Sequence, residues 1–524
     1  MFNRLLAVTA VCLLMMSPRT PCSVVASELS RLQNLIHSTV RIQSGGDTCS
    51  GIVVSPQGHV LTVAHGLGSG STHIRVTGWD GRTCTAETIV VDQKKDLAVL
   101  QCAEWGGASA GSTVPSVCVT ARRIATSPEM PVIGCGWPAF GGPQNHGQLR
   151  LGKIQSQSEN DLRTDCLLST GDSGGPLLNL QGHLIGLHRR IGLAADANYH
   201  IPLPVLQEFL SGHSALKSLL QSCSGRLELL RPEDLRPPDT ASLAGIRKQL
   251  LRLVDHESGF AGHGILVGPG RGVVVANSIA GSDSPAILGD GTELLLKLAG
   301  PADLKRNFCS VITESETAGG RKLRGATATI GMIVFSVWLS PEEGTLQIRG
   351  PGIISQDNHS EPRAGVILGM KLQAKTSGIR VIDVLPAGPA QEAGLQAGDT
   401  LLTVNSAAVA NTDLLRQVLE PFQPGDRIAI RYQREDVQRQ TQIVAQHDPA
   451  ELFDRRIYLD GRAGPLSLRR TGLQQMISHD LAILPSECGS VLITAKGEVI
   501  GLNISRIARQ CVLTAPLPAE ALAD

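Results

Sequence analysis

The sequence lacks the features that mark nucleic-acid-binding proteins and membrane-embedded proteins. Its 47 basic and 47 acidic residues cancel to a formal net charge of zero, and only 3% of its residues are aromatic. No block of Lys and Arg interleaved with aromatic residues supplies the surface that phosphate binding needs. Beyond the amino-terminal run, no hydrophobic stretch is long enough to span a bilayer. These absences favour a soluble chain without a nucleic-acid partner.

The chain also lacks the cysteine spacing of a structural zinc site. None of its 12 cysteines forms a Cys-x-x-Cys pair, the spacing on which most such sites depend. No metal and no cofactor are therefore predicted. Several cysteines lie in apolar, strand-like runs, so we expect buried thiols, and the spacing does not dictate disulfide pairs.

What is abundant indicates many short strands. The 524 residues include 57 glycines and 29 prolines, and 42% of the chain is hydrophobic. Glycine and proline at this frequency, with few aromatic residues, predict tight turns around aliphatic cores. The length predicts three or more domains. We expect a mainly β protein.

The first 26 residues have the pattern of a secretory signal peptide. MFNR is basic, LLAVTAVCLLMM is apolar but too short to span a bilayer, and Val24-Val25-Ala26 supplies small residues at a cleavage site. An uncleaved anchor is the alternative interpretation. The sequence predicts export after cleavage near Ala26.

Three stretches contain the residue types of a nucleophilic site. His65 follows the apolar run VLTVA, Asp96 precedes the apolar run LAVL, and Ser173 lies within GDSGGP. A hydroxyl becomes a useful nucleophile when a base takes its proton and a carboxylate orients that base. Each stretch alone is a common turn or strand end. Together, in the order His, Asp, Ser, they predict a catalytic triad.

These three stretches resemble the trypsin-like serine proteases, and TDCLLSTGDSGGPLLNLQGHLIGL is most similar to the HtrA/DegP type. The resemblance covers about residues 38–210. It implies that Ser173 is the nucleophile, His65 the general base and later acid, and Asp96 the orienting carboxylate. It also implies a trypsin-like double β-barrel and a periplasmic or secreted location.

The same resemblance assigns the groups around the nucleophile. The N–H groups of Gly171 and Ser173 would form the oxyanion hole, where a side chain at position 171 would resist the required backbone conformation. Leu167 and Leu168 would form the first wall of the substrate pocket. Because that wall has no acidic residue, a modest apolar substrate side chain is expected.

One residue departs from the HtrA pattern. Asp172 stands where those proteins usually carry Asn and where zymogen-activated trypsins carry Asp. In the trypsins this carboxylate pairs with a newly cut amino terminus, which has no counterpart here. Arg189 and Arg190 are the candidate cations, and the alternative is a site assembled only conditionally.

The second half of the chain repeats the first without its chemistry. Residues 262–281 align with residues 49–68, and residues 487–502 mirror residues 172–187. In a gapless alignment, Ser278 stands at the position of His65 and Cys488 at that of Ser173, and no convincing Asp motif follows. Without a base, little of the Cys488 thiol ionises, so a structural cysteine is favoured over a nucleophile.

A third unit interrupts this second copy. Residues 378–409 and the helix and strand that follow resemble the PDZ domains of HtrA proteases. Such a domain adds an extended peptide to a sheet edge beside a helix. The resemblance implies that the loop Ile367-Leu368-Gly369-Met370 captures a terminal carboxylate and that Val418 lines the groove. A PDZ fold that only packs on its neighbours is the alternative.

The sequence therefore predicts an exported serine endopeptidase that cleaves unfolded or extended polypeptides and binds peptide C-termini, possibly as a homo-oligomer. The alternative is a catalytically latent pseudoprotease that acts as a PDZ-based scaffold. The expected units are a signal peptide (1–26), a trypsin-like domain (27–215), a linker (216–245), a degenerate trypsin-like domain in two parts (246–360 and 446–524) and a PDZ domain (361–445).

Overall fold

The structure is a computed structural model. It describes residues 31–68, 73–105, 114–139, 146–221, 228–255, 259–278, 283–314, 322–361, 363, 365–375, 378–447, 464–508, 511–518 and 522–523. The predicted signal peptide lies outside these residues. None of the helices in the described ranges combines the length and the apolarity that crossing a bilayer demands.

Two closed six-stranded barrels form the first half of the chain. The first barrel consists of β1 (Thr39–Ser44), β2 (Asp47–Val53), β3 (His59–Thr62), β4 (Ile74–Thr77), β5 (Thr83–Asp92) and β6 (Leu97–Gln101). The second consists of β8 (Pro131–Gly136), β9 (Gln148–Gln157), β10 (Leu162–Thr164), β11 (Pro176–Asn179), β12 (Leu184–Ile191) and β13 (Asn198–Pro202). Between them, β7 (Val119–Thr120) pairs in parallel with β14 (Leu220–Gln221).

Two more closed barrels form most of the second half. The third barrel consists of β15 (Leu250–Leu253), β16 (Gly262–Gly268), β17 (Arg271–Val275), β18 (Asp283–Leu288), β19 (Glu293–Leu298) and β20 (Phe308–Thr313). The fourth consists of β22 (Ile333–Leu339), β23 (Leu346–His359), β32 (Met476–His479), β33 (Val491–Thr494), β34 (Val499–Ala508) and β35 (Cys511–Pro516). The short strands β21 (Leu323–Arg324) and β36 (Leu522–Ala523) pair beside them.

All four barrels follow one cyclic strand order: first, second, third, sixth, fifth, fourth. The predicted mainly β architecture is confirmed. Strand β6 is almost wholly buried, the pattern of a strand that is covered on both faces. Strand β5 alternates exposed and buried side chains near its start, the pattern of a strand that is covered on one face.

The PDZ unit is inserted between β23 and β32. Its sheet has the order β25 (Met370–Lys375), β26 (Gly378–Val384), β27 (Thr400–Val404), β29 (Arg427–Arg434) and β30 (Val437–Val444), with β28 (Ala407–Ala408) paired to β27. At its base, β24 (Val366–Ile367) pairs with β31 (Gln446–His447).

Helices are few and short. They are α1 (residues 31–38), α2 (Leu203–Gly212), α3 (Ala244–Arg247), α4 (Pro389–Glu392) and α5 (Thr412–Leu419). The Asn411 side chain caps α5 by accepting a hydrogen bond from the Leu414 N–H at 2.8 Å, as expected of an N-cap asparagine.

One continuous apolar core joins the two halves. Ile133 and Leu149 of the second barrel belong to the same buried cluster as Phe335 and Ile353 of the fourth. The segment predicted as a linker also contributes, since Leu229 and Leu230 are buried in this cluster. Removing apolar surface from water contributes a free energy of about 25 cal/mol for each Å². Burial of these two leucines therefore stabilises the contact of the linker segment with the barrels.

The cysteines follow the predicted pattern with one exception. Eight described cysteines are free and buried: Cys49, Cys84, Cys102, Cys135, Cys166, Cys309, Cys488 and Cys511. Cys118 is disulfide-bonded, so the expectation of buried thiols is wrong for that residue. It directly precedes β7, and no feature of the sequence there distinguishes it from a buried thiol.

A buried ion pair fastens the PDZ unit to the fourth barrel. Arg469 Nη1 donates to Asp426 Oδ1, and both side chains are almost fully buried. Asp426 also accepts a hydrogen bond from the Gln423 N–H at 2.8 Å. Burial lowers the pKa of Arg469 to about 10, which reflects the cost of placing a charge in this interior.

Arg469→Met is expected to reduce the free energy of unfolding by about 3 to 5 kcal/mol, because it leaves Asp426 charged, buried and unpaired. Arg469→Met/Asp426→Asn is expected to recover part of that loss. The control is Lys371→Met, whose exposed pair with Asp383 contributes about 0 to 1 kcal/mol. Urea denaturation measures all three. Equal effects of Arg469→Met and Lys371→Met would contradict a structural role for the buried pair.

Candidate active site

The pairing of β3 with β6 brings His65 and Asp96 together. His65 lies in a short 3-10 turn after β3, and Asp96 directly precedes β6. His65 Nδ1 lies 2.9 Å from Asp96 Oδ2 and 3.0 Å from Oδ1. The His65 N–H also donates to Asp96 Oδ1 at 3.0 Å. The carboxylate therefore fixes both the ring and the backbone of the histidine, which leaves Nε2 facing away from it.

Asp96 remains a carboxylate in this setting. Burial raises its pKa, but the hydrogen bonds from His65 and the charge of Arg189 outweigh burial and hold the pKa below its usual value. Arg189 Nε lies 3.3 Å from Asp96 Oδ2. An ionised Asp96 can steady a positive charge that forms on the imidazole.

Ser173 lies in the loop between β10 and β11, beside the first barrel. The Ser50 N–H donates to the Ser173 carbonyl at 2.7 Å. The Ser173 hydroxyl donates to the carbonyl of Arg189 at 3.0 Å, and within the described residues no hydrogen bond joins it to His65. Ser173 thus belongs to the second barrel and the His65–Asp96 pair to the first, and the Ser50–Ser173 hydrogen bond joins the two barrels at this point.

The backbone around Ser173 leaves two N–H groups available. In the part of the chain that the structure describes, the N–H groups of Gly171 and Ser173 donate to no protein acceptor. Gly171 has φ +96°, and a Cβ there would lie 2.4 Å from the Ala139 nitrogen. Only glycine fits this position. Two free N–H groups on a rigid turn can bind a developing negative charge.

The prediction that Arg189 or Arg190 pairs with Asp172 is wrong. Arg189 points to Asp96 and also to Asp161, at 3.4 Å, and the Arg190 guanidinium stacks over the Tyr199 ring at 3.8 Å. Asp172 instead faces Arg150 of β9, with Nη2 3.7 Å from Oδ2. Arg189 and Arg190 therefore contact other partners.

Leu167 and Leu168 are both buried, at 8% and 1% exposure. Leu167 lines a cleft of about 690 Å³ between the second and fourth barrels, together with Asp165, Arg349 and Asp480. The triad residues do not line this cleft. A substrate wall at these two leucines stays a prediction.

The second copy places asparagines at the positions of the base and the carboxylate. Ile52 pairs with Leu61, nine positions later, whereas Ile265 pairs with Val273, eight positions later. This shorter hairpin places the backbone of Asn277, rather than Ser278, at the position of His65.

Asn307 occupies the position of Asp96. The Ala276 N–H donates to the Asn307 carbonyl at 3.0 Å, as the Ala64 N–H does to Asp96 at 3.2 Å, and both residues have positive φ, +56° and +58°. The sequence contains a signal for this match, because KRNF at 305–308 parallels KKDL at 94–97.

Cys488 occupies the position of Ser173. The Gly489 N–H donates to the Asn503 carbonyl at 2.6 Å, as the Gly174 N–H does to His188 at 2.7 Å. Burial raises the pKa of Cys488 to about 11. Its described contacts are Ser467 Oγ and the Leu484 carbonyl, each at 3.8 Å. A thiol with this pKa is a poor nucleophile near neutral pH.

The PDZ unit has an open groove of about 820 Å³ between the edge strand β25 and α5. Leu415 and Leu419 line it from the helix, and Val366 and Leu372 line it from the strand side. Val418 packs against the PDZ core, as Leu419 does, and its place in the groove stays a prediction. β25 is an edge of the sheet, so its outer hydrogen-bonding groups can pair with an added strand.

The loop predicted to bind a carboxylate follows Val366, which lines this groove. Ile367 pairs with Gln446 in the base of the unit, and Met370 begins β25 opposite Val384. Between them, Leu368 is buried in the PDZ core and Gly369 has φ +72°. Carboxylate binding by this loop stays a prediction.

Comparison with known families finds two domains. Residues 49–187 match the trypsin-like peptidase domain, and residues 366–444 match the PDZ domain. Both regions coincide with units that the sequence analysis identified by resemblance.

Relatives that match this chain are named serine proteases or serine endoproteases. A "Probable periplasmic serine endoprotease DegP-like" of Halomonas elongata is 24% identical over 406 residues, covering 74% of this chain and 76% of the relative. "Serine protease HTRA1" of Xenopus tropicalis is 27% identical, covering 52% and 61%. "Serine endoprotease DegS" of Escherichia coli is 31% identical, covering 29% and 41%.

Among solved structures, the serine endoprotease from Yersinia pestis covers 80% of this chain and 98% of its own, with 16% identity and a TM-score of 0.31. A score this low carries no argument about the arrangement of the domains.

Gly171→Ala is expected to abolish hydrolysis of unfolded casein while the protein still folds, because the added Cβ displaces the turn that holds the two N–H groups. The matched control is Gly46→Ala. Gly46 has nearly the same φ, +95°, but nothing lies within 4 Å of its Cβ position. Fluorescent casein release and thermal melts compare both with wild type. Activity retained in Gly171→Ala would contradict an oxyanion hole at this turn.

Proposed function

Because the chain carries the trypsin-like peptidase and PDZ domains of HtrA/DegP-type serine endoproteases, we propose that it is an exported endopeptidase whose catalytic triad is His65, Asp96 and Ser173. The observation that carries the proposal is the two-oxygen contact between Asp96 and His65 Nδ1, at 2.9 and 3.0 Å. This contact orients the imidazole so that Nε2 is available as a base.

The geometry supports a two-step hydrolysis. When the Ser173 hydroxyl turns from the Arg189 carbonyl to His65 Nε2, the imidazole takes its proton as Oγ attacks the scissile carbonyl carbon. The N–H groups of Gly171 and Ser173 bind the oxyanion. The C–N bond then breaks as His65 gives the proton to the leaving amine. Water repeats the sequence on the acyl-enzyme and releases the carboxylic acid.

The second copy contributes no reaction of its own in this proposal. Asn277 and Asn307 cannot act as base and carboxylate, and the thiol of Cys488 is held neutral by burial. The proposal therefore confines the chemistry to the first two barrels.

The PDZ unit is proposed to bind extended peptides. Its support is the apolar groove beside an edge strand, where main-chain pairing supplies affinity and the pockets supply selectivity. A free carboxylate would bind the N–H groups of the loop at Leu368 and Gly369.

Export is proposed from two observations. The amino-terminal residues have the pattern of a signal peptide, and two of the relatives are named periplasmic. Polypeptides that are unfolded or extended in that compartment are the proposed substrates.

Ser173→Ala, His65→Ala and Asp96→Ala are each expected to remove nearly all hydrolysis of unfolded casein. Their losses should not add in double variants, because the three residues act as a unit. Cys488→Ser is the matched control and should stay within about twofold of wild type. Initial rates on fluorescent casein measure all variants. Wild-type activity in His65→Ala, or complete loss in folded Cys488→Ser, would refute the assignment.

A free-acid peptide with an apolar C-terminus is expected to bind the full-length Ser173→Ala protein about tenfold or more tightly than its amide, since a charge-assisted hydrogen bond contributes about 1.5 to 3 kcal/mol. Leu419→Glu in the groove should weaken both peptides. Val437→Glu, on exposed β30, is the control. Calorimetry giving equal affinities for acid and amide would reject carboxylate binding but not the PDZ fold.

A further inference from the structure

The residue before the nucleophile is a buried carboxylate inside the loop that forms the site. Asp172 has essentially no exposed surface. Its Oδ2 accepts a hydrogen bond from the Ser169 N–H at 2.9 Å, and its Oδ1 has no hydrogen-bond partner among the described residues. A Cβ on Gly136 would lie 2.4 Å from Oδ1, so the carboxylate is tightly enclosed. Burial raises its pKa, and an ionised Asp172 needs a cation nearby.

Arg150 supplies that cation, and it is equally buried. Its Nη1 donates to the Leu149 carbonyl at 2.9 Å and its Nη2 to Gln148 Oε1 at 3.0 Å. Its Nε has no hydrogen-bond partner. These contacts fix the guanidinium along β9, so its distance from Asp172 depends on where β9 lies.

The position of β9 is set from the other half of the chain. Asp480 follows β32 of the fourth barrel and is buried. Its Oδ2 accepts a hydrogen bond from the Leu151 N–H at 2.6 Å, next to Arg150, and its Oδ1 accepts one from the Ile353 N–H at 2.7 Å. One carboxylate thus joins a strand of the second barrel to a strand of the fourth. Burial raises the pKa of Asp480 to about 6, and the hydrogen bonds from Leu151 and Ile353 and the charge of Arg150 oppose that rise.

We propose that the noncatalytic half of the chain is a built-in activator: Asp480 holds β9 and its Arg150 in place, and Arg150 balances the buried Asp172 so that the loop of Gly171 and Ser173 keeps its catalytic form. Arg150 and Asp480 are positioning residues. The inference rests on the proposed function, because it concerns the same site. It explains how an acidic residue can be buried at position 172.

The second copy repeats the arrangement, which argues that the pairing belongs to the loop. Glu487 stands at the position of Asp172, and its Oε2 accepts a hydrogen bond from the Leu484 N–H at 2.8 Å, three residues earlier, as in the first copy. Arg349 of β23 lies 2.7 Å from Glu487 Oε1. This pair serves a site without a base, so it provides a control with the same chemistry and no catalytic consequence.

The first experiment changes the charge balance within the first copy. Phosphonylation of Ser173 by a fluorophosphonate probe, in which Oγ bonds to phosphorus and fluoride leaves, is followed over a range of probe concentrations, which separates the maximal rate constant from apparent probe affinity. Arg150→Met should lower the maximal rate constant by about tenfold or more with little change in affinity, because Asp172 is left unpaired. Arg349→Met should stay within about twofold of wild type. Circular dichroism and thermal melts establish that each protein is folded.

Rescue distinguishes charge balance from packing. Arg150→Met/Asp172→Asn removes both charges and keeps an acceptor for the Ser169 N–H, so its rate constant should return to within about threefold of wild type. A double variant as slow as Arg150→Met would overturn the proposal, because lost packing would then explain the effect. Arg150→Met with wild-type kinetics would overturn it as well.

The second experiment tests the contribution of the fourth barrel. Asp480→Asn should lower the maximal rate constant of phosphonylation about threefold to tenfold in the wild-type background. In the Arg150→Met/Asp172→Asn background it should lower this rate constant less than about twofold. Equal slowing in both backgrounds would show that Asp480 acts without Arg150 and would overturn its part. Asp480→Ser replaces the asparagine variant in both backgrounds if that protein does not fold.

The results that would refute the proposed function differ from those that would refute only the activator role. If wild-type protein formed no adduct at Ser173, the chain would not be a serine protease by this triad, whatever the variants did. If the wild type reacted and the Arg150 and Asp480 variants matched it, only the activator role would be refuted.

Discussion

The proposed active site depends on the antiparallel pairing of β3 with β6. That pairing places the residue after one strand beside the residue before the other, so the Asp96 carboxylate reaches both His65 Nδ1 and its backbone N–H. The second barrel then presents Ser173 from its own loop across the cleft. Each barrel is closed, and closure leaves few positions free to move, which keeps His65 and Asp96, 31 positions apart in the chain, at hydrogen-bonding range.

The sequence was sufficient for much of this arrangement. The order His65, Asp96, Ser173 with its flanking strands predicted the family and the mainly β fold, because the motif GDSGGP and the two apolar runs are together specific. It could not identify the partner of Asp172. Arg150 is one of 47 basic residues, lies in a strand without any motif, and meets Asp172 only after the second barrel has closed.

The second copy shows where gapless comparison of sequences fails. A hairpin shorter by one residue shifts every later position, so Ser278 was aligned with His65 although the strand register selects Asn277. The groove of the PDZ unit shows a similar limit. Amphipathic spacing places Val418 on the apolar side of α5, but Leu415 and Leu419 of the same helix both line the groove and pack in or on the PDZ core. Spacing along the helix therefore does not say which apolar residues line the groove.

The two halves have diverged in chemistry while keeping one architecture. Both retain the barrel order, the acidic residue before the nucleophile position and an arginine to balance it. The second copy has lost the imidazole and the orienting carboxylate. A copy without catalytic residues that packs against its neighbour can still influence the neighbour's site through the strands that it contacts. Here the two halves share one apolar core.

The central claim is that Ser173 is the activated nucleophile of this chain. Intact-protein mass spectrometry after reaction with a fluorophosphonate, followed by peptide mapping, tests it most directly. The account predicts one adduct per chain, carried by the peptide that contains Ser173, and none after unfolding in urea. An unmodified protein, or an adduct on Cys488 or another residue in place of Ser173, would contradict it.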